Sequence, residues 1–109
     1  MFKVRYFGSH EYGKVVSKVY YNNNLVRTVK SELTGDKVCG HPLWQLTVKN
    51  SNGNGIPEES LEYIVEPSLD VQPKYDGKSE IVLVSIQHKS LVEKIINLET
   101  SYKPRKNKN

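Results

Sequence analysis

Nucleophilic catalysis and metal binding both start from a thiol or imidazole set beside a group that activates it. The 109-residue chain has one such pair close in sequence, Cys39-Gly40-His41. In an extended strand, residues two apart share a face. The pair therefore reads as a reactive thiol or as half a metal site, with His10, His88 or Asp36 available to complete it. No established spacing supports that chemistry, and Gly40 with Pro42 argues for a turn. The expected arrangement is a small buried thiol beside a surface imidazole. His88 falls between a strand pattern and a helix pattern and reads as a boundary residue. Glu58, Glu59 and Glu62 form a carboxylate cluster that flanks a turn and is expected to be solvated. Gly53-Asn54-Gly55 lacks the lysine and following helix of a phosphate loop. The single cysteine excludes an internal disulfide and a multi-cysteine zinc site. The expectation is a non-enzymatic protein with no catalytic residues, no cofactor and no metal. A small ribonuclease working by acid–base catalysis without a metal is the third and last reading.

Charge carries more information than reactive groups do. Residues 1–49 hold eight Lys and Arg against three acids, and residues 50–102 hold four Lys against nine acids. The formal net charge of +4 therefore comes from Lys103, Arg105, Lys106 and Lys108. The tail 103–109 has only Pro104 as an apolar residue and is expected to be a basic, disordered arm.

Two binding readings follow. In the first, the protein docks on a protein or nucleoprotein partner. The acidic run Glu58, Glu59, Glu62, Glu66 would occupy a basic groove on that partner, as a modulator or inhibitor encoded by a virus or mobile element would. In the alternative, the protein binds single-stranded nucleic acid. Lys3, Arg5, Lys14, Lys18, Arg27 and Lys30 would hold phosphates, with Tyr20 and Tyr21 among them for stacking, helped by the tail. Nothing in the sequence fixes the oligomeric state. Two charges in the first five residues, no stretch near 20 apolar residues and a lone free cysteine point to the cytoplasm, that of the host if the protein is viral. The absence of alanine and the excess of Lys over Arg, 13 to 3, suggest an AT-rich coding sequence.

The elements that position these groups are mostly strands. Phe2, Val4 and Tyr6 alternate with Lys3 and Arg5. Residues 14–33 read as a hairpin around Asn22-Asn23-Asn24. Leu43 to Lys49 is the clearest strand, with Trp44, Leu46 and Val48 on one side and Gln45, Thr47 and Lys49 on the other. Leu61, Tyr63 and Val65 alternate before Pro67. Asp76-Gly77 predicts a second hairpin between 69–75 and 78–88. Ile81-Val82-Leu83-Val84, apolar throughout, predicts a central strand covered on both faces. One helix is predicted over 91–102, with Ser90 as its cap and Leu91, Ile95, Leu98 and Tyr102 on its apolar face. The sum is a single β-rich α+β domain over residues 1–102. It has a five- to six-stranded antiparallel sheet, or a small barrel, and one C-terminal helix.

Residues 44–65 carry a resemblance. Trp44 begins a strand, a Gly/Asn-rich turn follows, and Gly55-Ile56-Pro57 comes 13 positions after the Trp. This resembles the second half of an SH3-like small barrel. The resemblance implies a barrel with Trp44 and Pro57 near a binding face. Ser60 stands where that family has a Tyr, and Asn54 where it has a Gly.

Overall fold

The computed structural model describes residues 2–50, 60–75 and 81–102 of the chain. Five strands, β1 (Phe2–Ser9), β2 (Lys14–Tyr21), β3 (Asn24–Val38), β4 (His41–Asn50) and β5 (Ser60–Ile64), form one antiparallel sheet in chain order. Local chemistry sets three of its connections. Asn22-Asn23 and Cys39-Gly40 are two-residue turns with positive φ at both positions, as hairpin turns that match strand twist require. Between β1 and β2 the chain makes a 3₁₀ turn, His10–Tyr12. Ser9 caps it by accepting from the Glu11 amide at 3.3 Å, and Gly13 closes it at φ 80°.

A short helix α1 (Pro67–Asp70) leads to a separate two-stranded sheet of β6 (Val71–Tyr75) and β7 (Ile81–Ser85). The chain then enters the long helix α2 (Ile86–Tyr102). One face of the five-stranded sheet is apolar because its strands alternate. Val19, Val29, Leu46 and Val48 pack against Leu91, Val92 and Ile95 of α2. Val15 and Tyr6 pack against Val82 and Val84 of β7. The helix and the two-stranded sheet thus cover the same face, and no described element covers the other.

Several expectations are corrected. The five-stranded sheet is open, since β1 and β5 are its two edges and do not pair; it is not a closed barrel. Trp44 is buried on the covered face, so the surface role implied by the barrel resemblance is not available to it. The strand β7 is not central: it pairs only with β6 and leaves Ile81 exposed. Its covered side chains, Val82 and Val84, meet the large sheet instead of a helix of their own.

The helix starts five residues earlier than predicted, at Ile86 instead of Leu91. Ser85, not Ser90, serves as its cap, accepting from the His88 amide at 3.1 Å. The second strand of the predicted 14–33 hairpin does not end at residue 33: β3 continues to Val38 through an irregularity between Leu33 and Lys37. Asp76-Gly77, Pro57, Glu58, Glu59 and the tail 103–109 lie outside the described residues.

Candidate functional site

Polar residues gather in two places. The first is inside the core. His88 is fully buried on α2. Its Nε2 lies 2.5 Å from Ser17 Oγ on β2, and its Nδ1 lies 2.7 Å from Ser31 Oγ on β3. Tyr63 of β5 shares hydrogen bonds with Ser31 and with Ser85, whose hydroxyl donates to the phenol oxygen at 3.4 Å. Burial, reinforced by nearby His10, holds the His88 pKa down at about 3, so the ring is neutral. A neutral imidazole donates from one nitrogen and accepts at the other. One serine therefore receives its proton and the other supplies one.

Serine and histidine in contact are the parts of an acyl-transfer site. Here Ser17, Ser31 and His88 are all closed to solvent, so no substrate reaches them. The network joins β2, β3, β5, β7 and α2. Beside it, the His10 ring lies against Trp44 with centroids 4.2 Å apart, and its Nδ1 is 3.0 Å from the Leu83 carbonyl oxygen. His10 too has its pKa lowered, by burial, against the opposing pull of that carbonyl. His88 is thus a core residue instead of a boundary residue.

The second place is the uncovered face of the five-stranded sheet. Residues directly opposite in an antiparallel pair point to the same side. The observed register aligns Arg5, Lys18, Thr28 and Lys49 in one row across four neighbouring strands. The adjoining row holds Phe7, Val16, Lys30, Thr47 and Ser60, and the next holds Lys14, Glu32, Gln45 and Glu62. Lys3 stands opposite Tyr20. Among the described residues, this face therefore carries Lys3, Arg5, Lys14, Lys18, Lys30 and Lys49 against Glu32 and Glu62.

Lys30 and Glu32 pair at 3.0 Å. Lys18 Nζ sits 5.4 Å from the centre of the Phe7 ring, within cation–π reach. Arg5 and Lys18 are register partners across β1 and β2, a placement in which like charges are destabilising.

The predicted nucleic-acid residues divide between the two faces. Lys14, Lys18, Tyr20 and Lys30 share the uncovered face. Arg27 and Tyr21 do not. Arg27 is fully buried on the helix side, its Nη1 donating to the Val26 carbonyl at 2.6 Å. Tyr21 packs its ring on Phe2, centroids 4.8 Å apart. Alternation back from Val29 and Ser31 already gives Arg27 the parity of the core. An irregularity between Val19 and Tyr20 lets Val26 and Arg27 together oppose Val19. Sequence reasoning did not bring Lys49 or Phe7 to this site. Lys49 has the outward parity of Gln45 and Thr47, but only strand order puts it beside Thr28.

The acidic set is not brought together among the described residues. Glu62 ends a row on β5, and Glu66 lies 3.6 Å from His41 Nε2. Cys39 and His41 do not form a pair on one strand face. Cys39 occupies a hairpin turn and is exposed, not buried. No group of three or more His, Cys, Asp or Glu suited to a metal ion is assembled among the described residues. No helix among them is long and apolar enough to cross a membrane.

Fold and site together define an α+β protein, mostly β, whose antiparallel meander is packed on one side and cationic on the other. Comparisons with protein-family models, with curated proteins and with solved structures found no match.

Proposed function

We propose that this protein binds single-stranded nucleic acid on the uncovered face of its five-stranded sheet and catalyses no reaction there. The row Arg5, Lys18, Thr28, Lys49 carries the reading. Two cations held directly opposite each other repel, and a bound phosphate relieves that repulsion while releasing counterions. Neighbouring strands are about 4.8 Å apart, so the row offers evenly stepped donors to a phosphate backbone. Tyr20 and Phe7 supply partly exposed rings between the cations, and any base will stack on a ring.

The geometry favours a single strand over a duplex. Five strands span roughly 19 Å, wider than the roughly 12 Å major groove, which admits a helix or a two-stranded ribbon. Docking on a protein partner through the acidic run lacks a comparable arrangement among the described residues.

Fluorescence anisotropy with a labelled single-stranded oligonucleotide tests the proposal. Affinity should fall steeply with salt, with a log–log slope of about −2 to −3 for the three or four phosphates such a face holds. Replacing both Arg5 and Lys18 by Glu should abolish binding. Binding unchanged in that double variant would overturn the reading, as would no binding at low salt.

A further inference from the structure

At one end of the cationic face, the 3₁₀ turn and the start of β7 enclose a cleft of about 420 Å³. We infer that this cleft, walled by Phe7, Tyr12 and Ile81, holds one base of the bound strand, and that the Glu11 carboxylate selects guanine there. The inference rests on the reading of the sheet face as a nucleic-acid site, and it adds a base-specific pocket to it.

Three observations carry it. The cleft concentrates apolar surface that folding leaves in water: Tyr12 is 80% exposed, Ile81 61% and Phe7 36%. The exposure of Tyr12 does not come from a loose loop. Ser9 accepts from the Glu11 amide, the Gly13 amide donates to His10, and the Leu33 amide donates to the Gly13 carbonyl at 3.0 Å. His10 contacts the Leu83 carbonyl of β7. The turn is therefore fixed, and it presents the Tyr12 ring outward.

The cleft lies at the β1 edge, where Tyr6 and Val82 line it from the covered side and Phe7 joins it to the cationic face. Phe7 lines it while sitting beneath Lys18, and Arg5 lies two residues away on the same strand face. A strand whose phosphates lie on Arg5 and Lys18 thus passes the mouth of the cleft. The volume lies within the range of small-ligand sites and accommodates a planar base against the rings.

The third observation is Glu11, the one acid that lines this cleft among the described residues, whereas the neighbouring sheet face is mostly cationic. A carboxylate only accepts hydrogen bonds. Guanine alone presents two adjacent donors, its ring N1–H and its N2 amino group, to match two carboxylate oxygens. Cytosine and adenine each offer one amino donor beside an acceptor, and thymine or uracil turns carbonyl oxygens toward the acid. The same carboxylate repels phosphate, so a charge that weakens general affinity is explained by what it selects.

Binding of an oligo-dT 8-mer is compared with that of the same 8-mer carrying one central guanine, or hypoxanthine, which lacks the 2-amino group. The guanine oligomer should bind about tenfold tighter than oligo-dT, in line with one bidentate contact, and hypoxanthine should lose most of that gain. Glu11→Gln should remove the preference while oligo-dT binding is kept or slightly tightened, because the repulsion of phosphate goes with the charge. Tyr12→Ala should weaken guanine binding several-fold and oligo-dT binding less, since thymine loses only a stacking surface. Both side chains are exposed, so unchanged melting temperatures verify that the variants fold. Equal affinity for all three oligomers, with oligo-dT still bound in a salt-sensitive way, overturns the pocket alone. Failure to bind any of them at low salt overturns the sheet-face reading as well.

Discussion

Ser17 and His88 are 71 residues apart in sequence and joined by a hydrogen bond of 2.5 Å in the dry centre of the protein. The bond ties the second strand of the sheet to the first turns of the terminal helix. With Ser31 on the other ring nitrogen, it fixes how α2 lies across β2 and β3. Buried polar groups that are fully bonded specify one arrangement, because any shift leaves one of them unpaired. His88→Ala should therefore destabilise by about 3 kcal/mol, from a cavity plus two orphaned hydroxyls. Ser17→Ala should cost less, about 1–2 kcal/mol, by leaving one ring nitrogen unsatisfied. Urea denaturation measures both, and a cost under 0.5 kcal/mol for His88→Ala would sink the structural role.

Stability should depend on pH through the same residue. The folded-state pKa of His88 is about 3, against an ordinary 6.5, chiefly because burial disfavours the charged ring. His10 is shifted in the same direction. Below pH 6.5 the unfolded chain takes up protons that the folded chain refuses. The His88 contribution is thus complete above about pH 6.5 and is lost as pH falls toward 3, at up to about 1.4 kcal/mol per pH unit, and His10 acts in the same direction. Urea midpoints at pH 7.5, 6 and 4.5 should decrease in that order. A flat profile would show that the imidazoles titrate normally in the fold.

Arg5 and Lys18 oppose stability to binding. Arg5→Glu converts a repulsive cross-strand pair into an attractive one and should raise stability by about 0.2–1 kcal/mol. The same change removes a phosphate ligand and should lower oligonucleotide affinity. Thermal melting and anisotropy on the single variant read the two effects separately. Destabilisation by Arg5→Glu would mean that the pair is not in repulsive contact.

Cys39 adopts φ 52° in a two-residue turn before Gly40. Asparagine tolerates that conformation better than cysteine, and Asn-Gly is a favoured pair for such hairpins. Cys39→Asn should stabilise by a few tenths of a kcal/mol to about 1 kcal/mol. Differential scanning calorimetry would detect the rise, and a lower melting temperature would contradict the turn geometry.

Much of the fold was legible in the residues themselves. Period-two alternation marks β1 and β4, β-branched and aromatic residues mark β2, and paired Asn residues mark the first tight turn. These signals are local, set by which way a side chain points and which φ a residue tolerates. Within single strands the sequence alone also determined that Lys3 and Arg5 point away from Phe2, Val4 and Tyr6, and Lys49 away from Trp44, Leu46 and Val48. Helix α2 was legible in its body and misread at its start. Ser90 looks like a cap, but Ser85 lies at the end of β7, where the chain leaves the hairpin.

The tertiary structure decided the rest. Strand order placed Lys49 in line with Arg5, and the packing of α2 made His88 a buried hub and Arg27 an interior cation. It also brought Phe7, Tyr12 and Ile81 to one cleft across some seventy residues of chain. None of these relations has a local signature. Each depends on which surfaces meet when apolar area leaves water, and that choice is made by the whole chain at once.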